Sequence, residues 1–360
     1  MTRMNATLWR QDTSIRVPVR SAAQMHDERS RLFLRVEHDG VAGFGEVAPQ
    51  PHALNGDAAI LDVIDEVRVF VLPQLQQILA REGALPSWTR VGRLAGSRAA
   101  SNPAVALLEM ALLERELRAT NATIDALWPV RFDTPLQTTV SLIDEGIFDV
   151  ASSTARVRAK VSDDVLSPAA LVLLSEIAQR SLPVLLDYNC SARSDDEVIE
   201  QVRAIREIVE VAAVEQPYDV GNVVDTARLA ERLDVPLSID EGIRSVRDVA
   251  QIVRYRAADL ICVKPARVGG LANARTIILE AHEAGLRAYV GGFFESPYAR
   301  RVHRWLANNC VDEPSDVGPV NVVLDGYERE VDDVAGGFGV SPSPEMLERA
   351  VVLVDVEAGI

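Results

Sequence analysis

The sequence predicts an α/β chain: a closed barrel of βα units behind a smaller α+β first domain, with the C-terminal tail returning to that domain. Three observations predict it. Apolar strand-like runs recur between residues 135 and 292 with helix-like segments between them, and strand, helix, strand at such spacing means a parallel sheet. Five successive runs end on an ionisable residue: Lys160, Asp187, Glu215, Asp240 and Lys264, with gaps of 27, 28, 25 and 24 residues. A strand, a helix and two short loops need about that length. Ahead of all this, residues 30–48 alternate apolar and polar around His38-Asp39-Gly40, the signature of a hairpin with a tight turn.

Taken in order, a further strand followed by a loop is expected before the hairpin. Three helical stretches follow it, at about 57–80, 87–95 and 103–119. The last opens on Asn102-Pro103, a good helix start. These elements make a first domain of residues 1–125. The barrel is expected over 126–320, with strands at 135–143, 155–161, 182–189, 211–217, 235–241, 259–266 and 286–292 and helices such as 196–210 and 273–285. Seven or more units favour a closed barrel over a doubly wound sheet. The open-sheet alternative would want a glycine-rich phosphate loop, and no GxGxxG is present. The tail, 321–360, carries strand and turn signals and a short helix that can fold back on the first domain.

Composition narrows the function. The chain has 360 residues, 48% hydrophobic and 25% charged, with a formal net charge of −16. Clustered Lys and Arg, which a phosphate backbone demands, are missing, so nucleic acid is excluded as a partner. No apolar run approaches a membrane span, and the opening residues lack the apolar core of a signal peptide. Cys190, Cys262 and Cys310 fit neither a disulfide framework nor a zinc pattern. A cytoplasmic protein with free thiols is expected, without a membrane partner.

In a barrel the C-terminal strand ends share one face, where active sites are built. A lone Asp after a strand is usually a turn former or helix cap, but Asp187, Glu215 and Asp240 stand in matched register. Three carboxylates converging in low dielectric repel unless a cation joins them. All-oxygen ligands point to Mg²⁺, with Mn²⁺ as the alternative and Zn²⁺ disfavoured. Cys190, close by, is soft sulfur and is read as packing. In residues 155–161, Arg156, Arg158 and Lys160 alternate with Ala155, Val157, Ala159 and Val161. Helices wrap a barrel, so the charged face must point inward. Arg158 cannot give up its proton, so it should disfavour the Lys160 ammonium. Lys264, ending an apolar run, is not a surface lysine. None of the five histidines falls on a strand end. His26 and His52 lie in first-domain loops from which a substrate could be reached.

Lysine, Asp, Glu, Asp, lysine on consecutive strand ends resembles the enolase superfamily, and within it the muconate-lactonizing-enzyme-like group. GFGEVAP (43–49), Arg158-Ala159-Lys160, DYN (187–189), VEQP (214–217), DEG (240–242) and VKPARVGGL (263–271) carry the resemblance. It implies a modified (β/α)7β TIM-type barrel with an α+β N-terminal capping domain completed by the C-terminal tail. It also implies that Asp187, Glu215 and Asp240 bind Mg²⁺, which grips a substrate carboxylate and stabilises the enediolate left by α-proton removal. Lys160 would be the base and Lys264 a second acid/base or a cation facing it. Arg158, Asn189 and Glu241 would support the metal ligands. The His expected after strand seven in mandelate-racemase-like enzymes is missing.

Within the group, VEQP and GGFFES (291–296) resemble o-succinylbenzoate synthases and N-acylamino acid racemases. The leading expectation is a lyase of the synthase type acting on a small carboxylate, with a place in menaquinone biosynthesis. N-acylamino acid racemisation or dipeptide epimerisation comes second and muconate cycloisomerisation third, and a non-enzymatic metabolite binder is disfavoured by the intact lysines. Dipeptide epimerases carry Asp-x-Asp near the last strand, and none stands at 312–326. The loop around 22–29, with His26 and Arg29, and the segment with Glu295, Ser296 and Tyr298 are expected to meet the distal end of the substrate. Ser296-Pro297-Tyr298 and Tyr188 replace small residues of those relatives and should add bulk near the pocket. Barrels of this family often assemble, which makes a homo-oligomer an open expectation.

Overall fold

The computed structural model describes residues 3–20, 25–92, 101–141, 153–161, 165–318 and 331–359. Its first sheet is antiparallel, in the order β13-β1-β2-β3, with β1 at Arg3–Arg20, β2 at Met25–His38, β3 at Val41–Val47 and β13 at Val351–Gly359. The expected tight turn joins β2 to β3. Asp39 and Gly40 both take positive φ, 54° and 75°, which the twist of a two-residue hairpin loop requires. The C-terminal strand lies antiparallel to β1, Arg3 opposite Gly359 through Arg10 opposite Val351. The strand before the hairpin is longer than expected, and β2 begins at Met25, so residues 25–29 of the expected 22–29 loop, His26 and Arg29 among them, are strand; residues 21–24 lie outside the described residues.

One face of this sheet (Met4, Ala6, Leu8, Leu32, Leu34, Val36) is buried without exception. The helical run after it is continuous: α1 at Ile60–Glu66 passes through a π-helical stretch, Val67–Val71, into α2 at Leu72–Glu82. The second expected helix, 87–95, opens with a 3-10 turn at Trp88–Arg90 and is helical at Val91 and Gly92, and its last residues, 93–95, lie outside the described residues. Helix α3, Asn102–Ala119, starts where Pro103 predicts and is buried along almost its whole length. The G-x-G of GFGEVAP explains how close it lies. A Cβ on Gly45 would stand 2.0 Å from the Leu107 carbonyl oxygen and one on Gly43 2.3 Å from that of Ala111, so only glycine lets the helix rest on the strand.

The second sheet is parallel, seven strands in sequence order: β4 (Leu136–Ser141), β5 (Thr154–Lys160), β6 (Val184–Asp187), β7 (Val211–Glu215), β8 (Leu237–Ile239), β9 (Leu260–Val263) and β10 (Arg287–Val290). The connecting helices are α4 (Pro168–Gln179), α5 (Asp195–Arg206), α6 (Val223–Ala230), α7 (Val246–Tyr255), the one-turn α8 (Pro265–Val268), α9 (Leu271–Glu283) and α10 (Pro297–Cys310). The segment between β4 and β5 lies outside the described residues. Residues after α10 join the two edges. Ser315 bridges Leu136 of β4 in parallel, and the Asp316 N–H donates to the Val290 carbonyl of β10 at 2.9 Å. Leu185, Ala213, Leu260, Cys262 and Tyr289 form a separate buried cluster. Leu185, Ala213, Leu260 and Cys262 lie two or four positions before Asp187, Glu215 and Lys264, and with Tyr289 they fill the inside of the curl. The tail adds the small hairpin β11 (Val331–Asp333) and β12 (Val340–Pro342) and helix α11 (Pro344–Glu348) before β13. No helix among the described residues is long and apolar enough to cross a membrane.

Two buried glutamates of the first unit cap barrel helices. Glu109 of α3 accepts from the Ala272 N–H at 3.1 Å and from the Leu271 N–H at the start of α9. Glu46 accepts from the Ser296 N–H at 2.7 Å and from the Ser296 hydroxyl, where α10 begins. The helix N-terminus supplies donors that no backbone carbonyl can use. Burial nevertheless pushes both carboxyls up to about 7. With a folded value above the unfolded one, the folded state binds the extra protons, so this stability is present in full below about 4.5 and is lost as pH rises through 7. The Glu46→Gln, Glu109→Gln double variant should therefore lose less stability than the parent between pH 5 and 8, by about 2 kcal/mol per site. Urea unfolding at each pH measures this, and parallel curves for the two proteins would refute it.

Candidate active site

The barrel register puts the expected residues side by side. Lys160 of β5 is level with Asp187 of β6, and Asp187 with Glu215 of β7. Asp240 and Lys264 come one residue beyond β8 and β9, so all five stand at the C-terminal mouth. The three carboxylates are fully buried, while Lys160 and Lys264 keep 9% and 6% of their surface. The charged face of β5 does point inward: Arg156, Arg158 and Lys160 are all buried. Arg156 lies deepest, 4.9 Å over the Tyr289 ring.

Each lysine is tied to a carboxylate on its own side. Lys160 Nζ donates to Asp187 Oδ2 at 2.9 Å and Asn189 Oδ1 at 2.7 Å. Lys264 Nζ donates to Asp240 Oδ2 at 2.7 Å and lies 4.7 Å over the Phe293 ring. Gly291 makes room for it, because a Cβ there would come within 2.9 Å of Lys264 Cε. Arg158 links the carboxylates, donating to Glu215 Oε1 at 3.3 Å and Asp316 Oδ2 at 3.1 Å, with Asp187 3.9 Å away. Asn189 donates to Glu241 Oε1 at 3.1 Å, and the Asn55 amide approaches the same oxygen from the first sheet's side. Glu241 Oε2 is buried and has no hydrogen-bond partner among the described residues.

Burial pushes the Glu215 carboxyl up and neighbouring Asp187 adds to it, against the pull of Arg158. At Asp240 burial acts in the same direction, but Arg267 and Lys264 outweigh it and hold that carboxyl far below its usual range. This is the crowding of like charge that a bound cation relieves. Glu215 and Asp240 offer oxygens within 4.8 Å of each other, and Cys262 Sγ joins them within that limit. Asp187 is turned to Lys160 instead. Burial drives the Cys262 thiol upward, and a neutral thiol is a poor ligand for a hard cation. The donor set of this mouth is therefore carboxylate oxygen, which fits Mg²⁺ or Mn²⁺.

Arg29 reaches the same cavity, together with Gln50, Leu54 and Asn55 from the first unit. Other residues expected near the substrate stand elsewhere. Ser296 caps α10, where Pro297 occupies the first turn, and this helix start turns Tyr298 away from the mouth. Its hydroxyl lies 2.8 Å from Glu114 Oε2 of α3 and beside the Phe44 carbonyl, and its one proton serves one of these acceptors at a time. Tyr298 thus holds the two units together and adds no bulk to the pocket. Tyr188 likewise points outward and donates to Gln201 of α5 at 2.8 Å. Glu295 is buried behind Gly292, paired with Arg300 at 3.3 Å and 3.9 Å from His303. The His26 side chain lies outside the described residues, and Cys190 has its backbone N–H on Gln216.

Sequence reasoning passed over Arg267 and Asp316, which line the mouth together with Arg300 of the expected 295–301 segment. Arg267 stands three residues after Lys264, and Pro265 starts a single helical turn that brings it back over the barrel. There it donates to Asp240 and, through two nitrogens, to both oxygens of Asp57. Asp316 was within reach of the spacing argument. Two more steps of 27 and 25 residues from Lys264 land on Gly291 and Asp316.

Comparison with known proteins agrees with this geometry. Residues 152–314 match the family described as Enolase C-terminal domain-like. The chain is 26% identical over 362 residues to an N-succinylamino acid racemase of Amycolatopsis, covering 92% of this chain and 93% of that protein. It is 26% identical over 312 residues to a chloromuconate cycloisomerase of Cupriavidus pinatubonensis, 82% of each chain. An o-succinylbenzoate synthase of Bacillus subtilis is 24% identical over 310 residues, covering 84% of this chain and 81% of the synthase. Among solved structures, the N-succinyl Arg/Lys racemase of Bacillus cereus superposes with a TM-score of 0.83 over all of both chains at 16% identity. A dipeptide epimerase of Enterococcus faecalis, solved with Mg and a dipeptide, superposes with a TM-score of 0.79 at 14% identity over 95% of this chain and all of its own.

Proposed function

We propose, for a chain that belongs to the enolase superfamily, that it removes the proton α to a carboxylate and goes on to eliminate water, as an o-succinylbenzoate synthase does. The observation that carries this reading is the pair of lysines on opposite sides of a carboxylate-lined mouth, held by Asp187 at 2.9 Å and by Asp240 at 2.7 Å. Asp187, Glu215 and Asp240 would hold Mg²⁺, whose charge would stabilise the enediolate of a bound carboxylic acid. Mn²⁺ would serve the same donors.

The chain's own residues divide the remaining work. Lys160 takes the α-proton at Nζ, with Asn189 and Asp187 fixing the amine in place. Lys264 faces it as a cation: like Lys160 it is paired with a carboxylate, Asp240, but it alone also lies over the face of Phe293, which favours the ammonium. Arg158 and Tyr289 hold Glu215 from two sides, and Glu241 with Asn189 fixes the strand ends above it. A base and a fixed cation suit elimination: the electrons of the broken C–H bond become the new C=C bond, the C–O bond at the neighbouring carbon breaks, and the hydroxyl takes a proton back from Lys160 to leave as water.

Racemisation of an N-acylamino acid is the second reading, because the facing lysines could each serve one enantiomer. Dipeptide epimerisation is disfavoured: Asp316, the acid at the eighth-strand position, is already paired with Arg158 and Arg300 and offers no free carboxylate to a substrate ammonium. The deciding test is turnover of the o-succinylbenzoate precursor with Mg²⁺. Product formation abolished by EDTA supports the lyase. If the precursor is untouched while N-succinylamino acids racemise, the second reading takes its place.

A further inference from the structure

The floor of the barrel, at the strand starts and so opposite the mouth, carries a groove of about 410 Å³ between the C-terminal ends of α9 and α10. That is within the usual size of small-molecule pockets, about 300–1,000 Å³. Phe132, Leu279 and Leu286 give it apolar walls, while Arg131, Arg275 and Arg287 bring three positive charges. Arg287 is answered by Glu313 at 2.9 Å, and the acid in the lining, Asp312, is exposed. Arg131 and Arg275 have no carboxylate partner among the described residues. A chain with a formal net charge of −16 has thus gathered unpaired cations at one place.

Arg275 is held in place there. Its Nε donates to Asn309 Oδ1 at 3.3 Å, and its guanidinium carbon lies 5.1 Å over the Trp128 ring. Asn309 is itself 3% exposed and is fixed from its other end, donating to the Pro129 carbonyl at 2.5 Å. With Nε and one face so used, both Nη groups remain for a ligand. Arg131 stands close by. Burial pushes the Cys310 thiol up to about 11, and Arg275 and Arg131 are the charges that pull it back, so both guanidiniums face one sulfur in the lining. Helix C-termini ordinarily disfavour anions, but here their carbonyls are occupied. Asn308 accepts from the Arg131 and Phe132 N–H groups, and Ala281 from those of Ala284 and Leu286.

We propose that this groove binds a phosphate monoester with an apolar substituent, the dianion bridging Arg131 and Arg275 and the substituent lying against Phe132, Leu279 and Leu286. Two unpaired guanidiniums match an anion that carries about −1.5 to −2 at neutral pH. Each donates from a planar fork that suits phosphate oxygens. A carboxylate would answer only one of them. The groove shares no lining residue with the active-site mouth, so it is a second site and not a part of the first.

Calorimetric titration of the metal-free protein near neutral pH tests this, with phenyl phosphate, inorganic phosphate and benzoate as probes. Phenyl phosphate should bind about 10-fold more tightly than inorganic phosphate, which lacks the ring, and than benzoate, which lacks the second charge. Arg131→Gln and Arg275→Gln should each weaken phenyl phosphate by about 10-fold or more, as expected for hydrogen bonds between charged groups. Arg131 is exposed, so its variant decides the matter even if Arg275→Gln, which also releases Asn309, does not fold. Lys160→Ala, at the mouth, should leave the affinity unchanged. Absence of binding by the parent, equal affinity for phenyl phosphate and either other probe, undiminished affinity in Arg131→Gln, or affinity lost in Lys160→Ala would overturn the proposal.

Discussion

Replacing Lys160 with alanine should lower α-proton exchange by about 10²- to 10⁴-fold, the usual contribution of a positioned acid or base. The fold should survive. Lys160 is the last residue of β5 and its side chain is in the cavity, while Val157, Ala159 and Val161 hold the strand against the helices. Asp187 loses one donor but keeps the Asn189 N–H at 3.0 Å. Circular dichroism and Mg²⁺ titration should therefore resemble the parent. Lys160→Arg should fail nearly as badly, because a guanidinium keeps its proton. If Lys160→Ala retained more than a tenth of the exchange rate, the base would have to be sought elsewhere. Lys264 is the first candidate.

The Glu215→Gln variant should be affected about as severely. The metal contributes several kcal/mol of charge stabilisation, and each 1.36 kcal/mol is tenfold in rate, so a loss of about 10³-fold or more is expected. Removing Mg²⁺ from the parent with EDTA should reproduce it. Glu215 is the central carboxylate, between Asp187 and Asp240, with Arg158 and Tyr289 as its hydrogen-bond donors. Glutamine keeps the size but removes one of three converging charges. The metal-free variant should thus melt no lower than the metal-free parent while binding Mg²⁺ more weakly, which separates loss of the site from loss of the fold. An active Glu215→Gln enzyme would show that the metal, if any, is held by other residues.

These expectations rest on residues that could be read from the chain, for physical reasons. Charged side chains at the ends of apolar runs have no bland explanation in a barrel, where helices cover the outside. The period of the runs carries register from one strand to the next. What the sequence hides are partnerships between distant segments. Arg29 is expected near the substrate from the sequence, but only the structure shows that Asp57 and Glu295 are occupied by Arg267 and Arg300. Tyr298 follows Glu295 by three residues, yet the cap at Ser296 and the turn at Pro297 send it into the seam with α3. Adjacency in sequence to a pocket residue does not survive a helix start. The Cys262 thiol beside Glu215 and Asp240 escaped notice for a related reason: an apolar strand interior gives no hint of which core residue comes to lie under an acid.

The central claim is that Lys160 and a metal held by three carboxylates labilise a proton α to a carboxylate. It is tested most directly in D₂O by ¹H NMR, as α-deuterium incorporation into N-succinylamino acids and as loss of the α-proton signal when the o-succinylbenzoate precursor is dehydrated. The expected result is exchange that requires Mg²⁺, ceases with EDTA and is lost in Lys160→Ala. Exchange that persists without metal or without Lys160, or none from any acid that binds the metal-loaded protein, would contradict it.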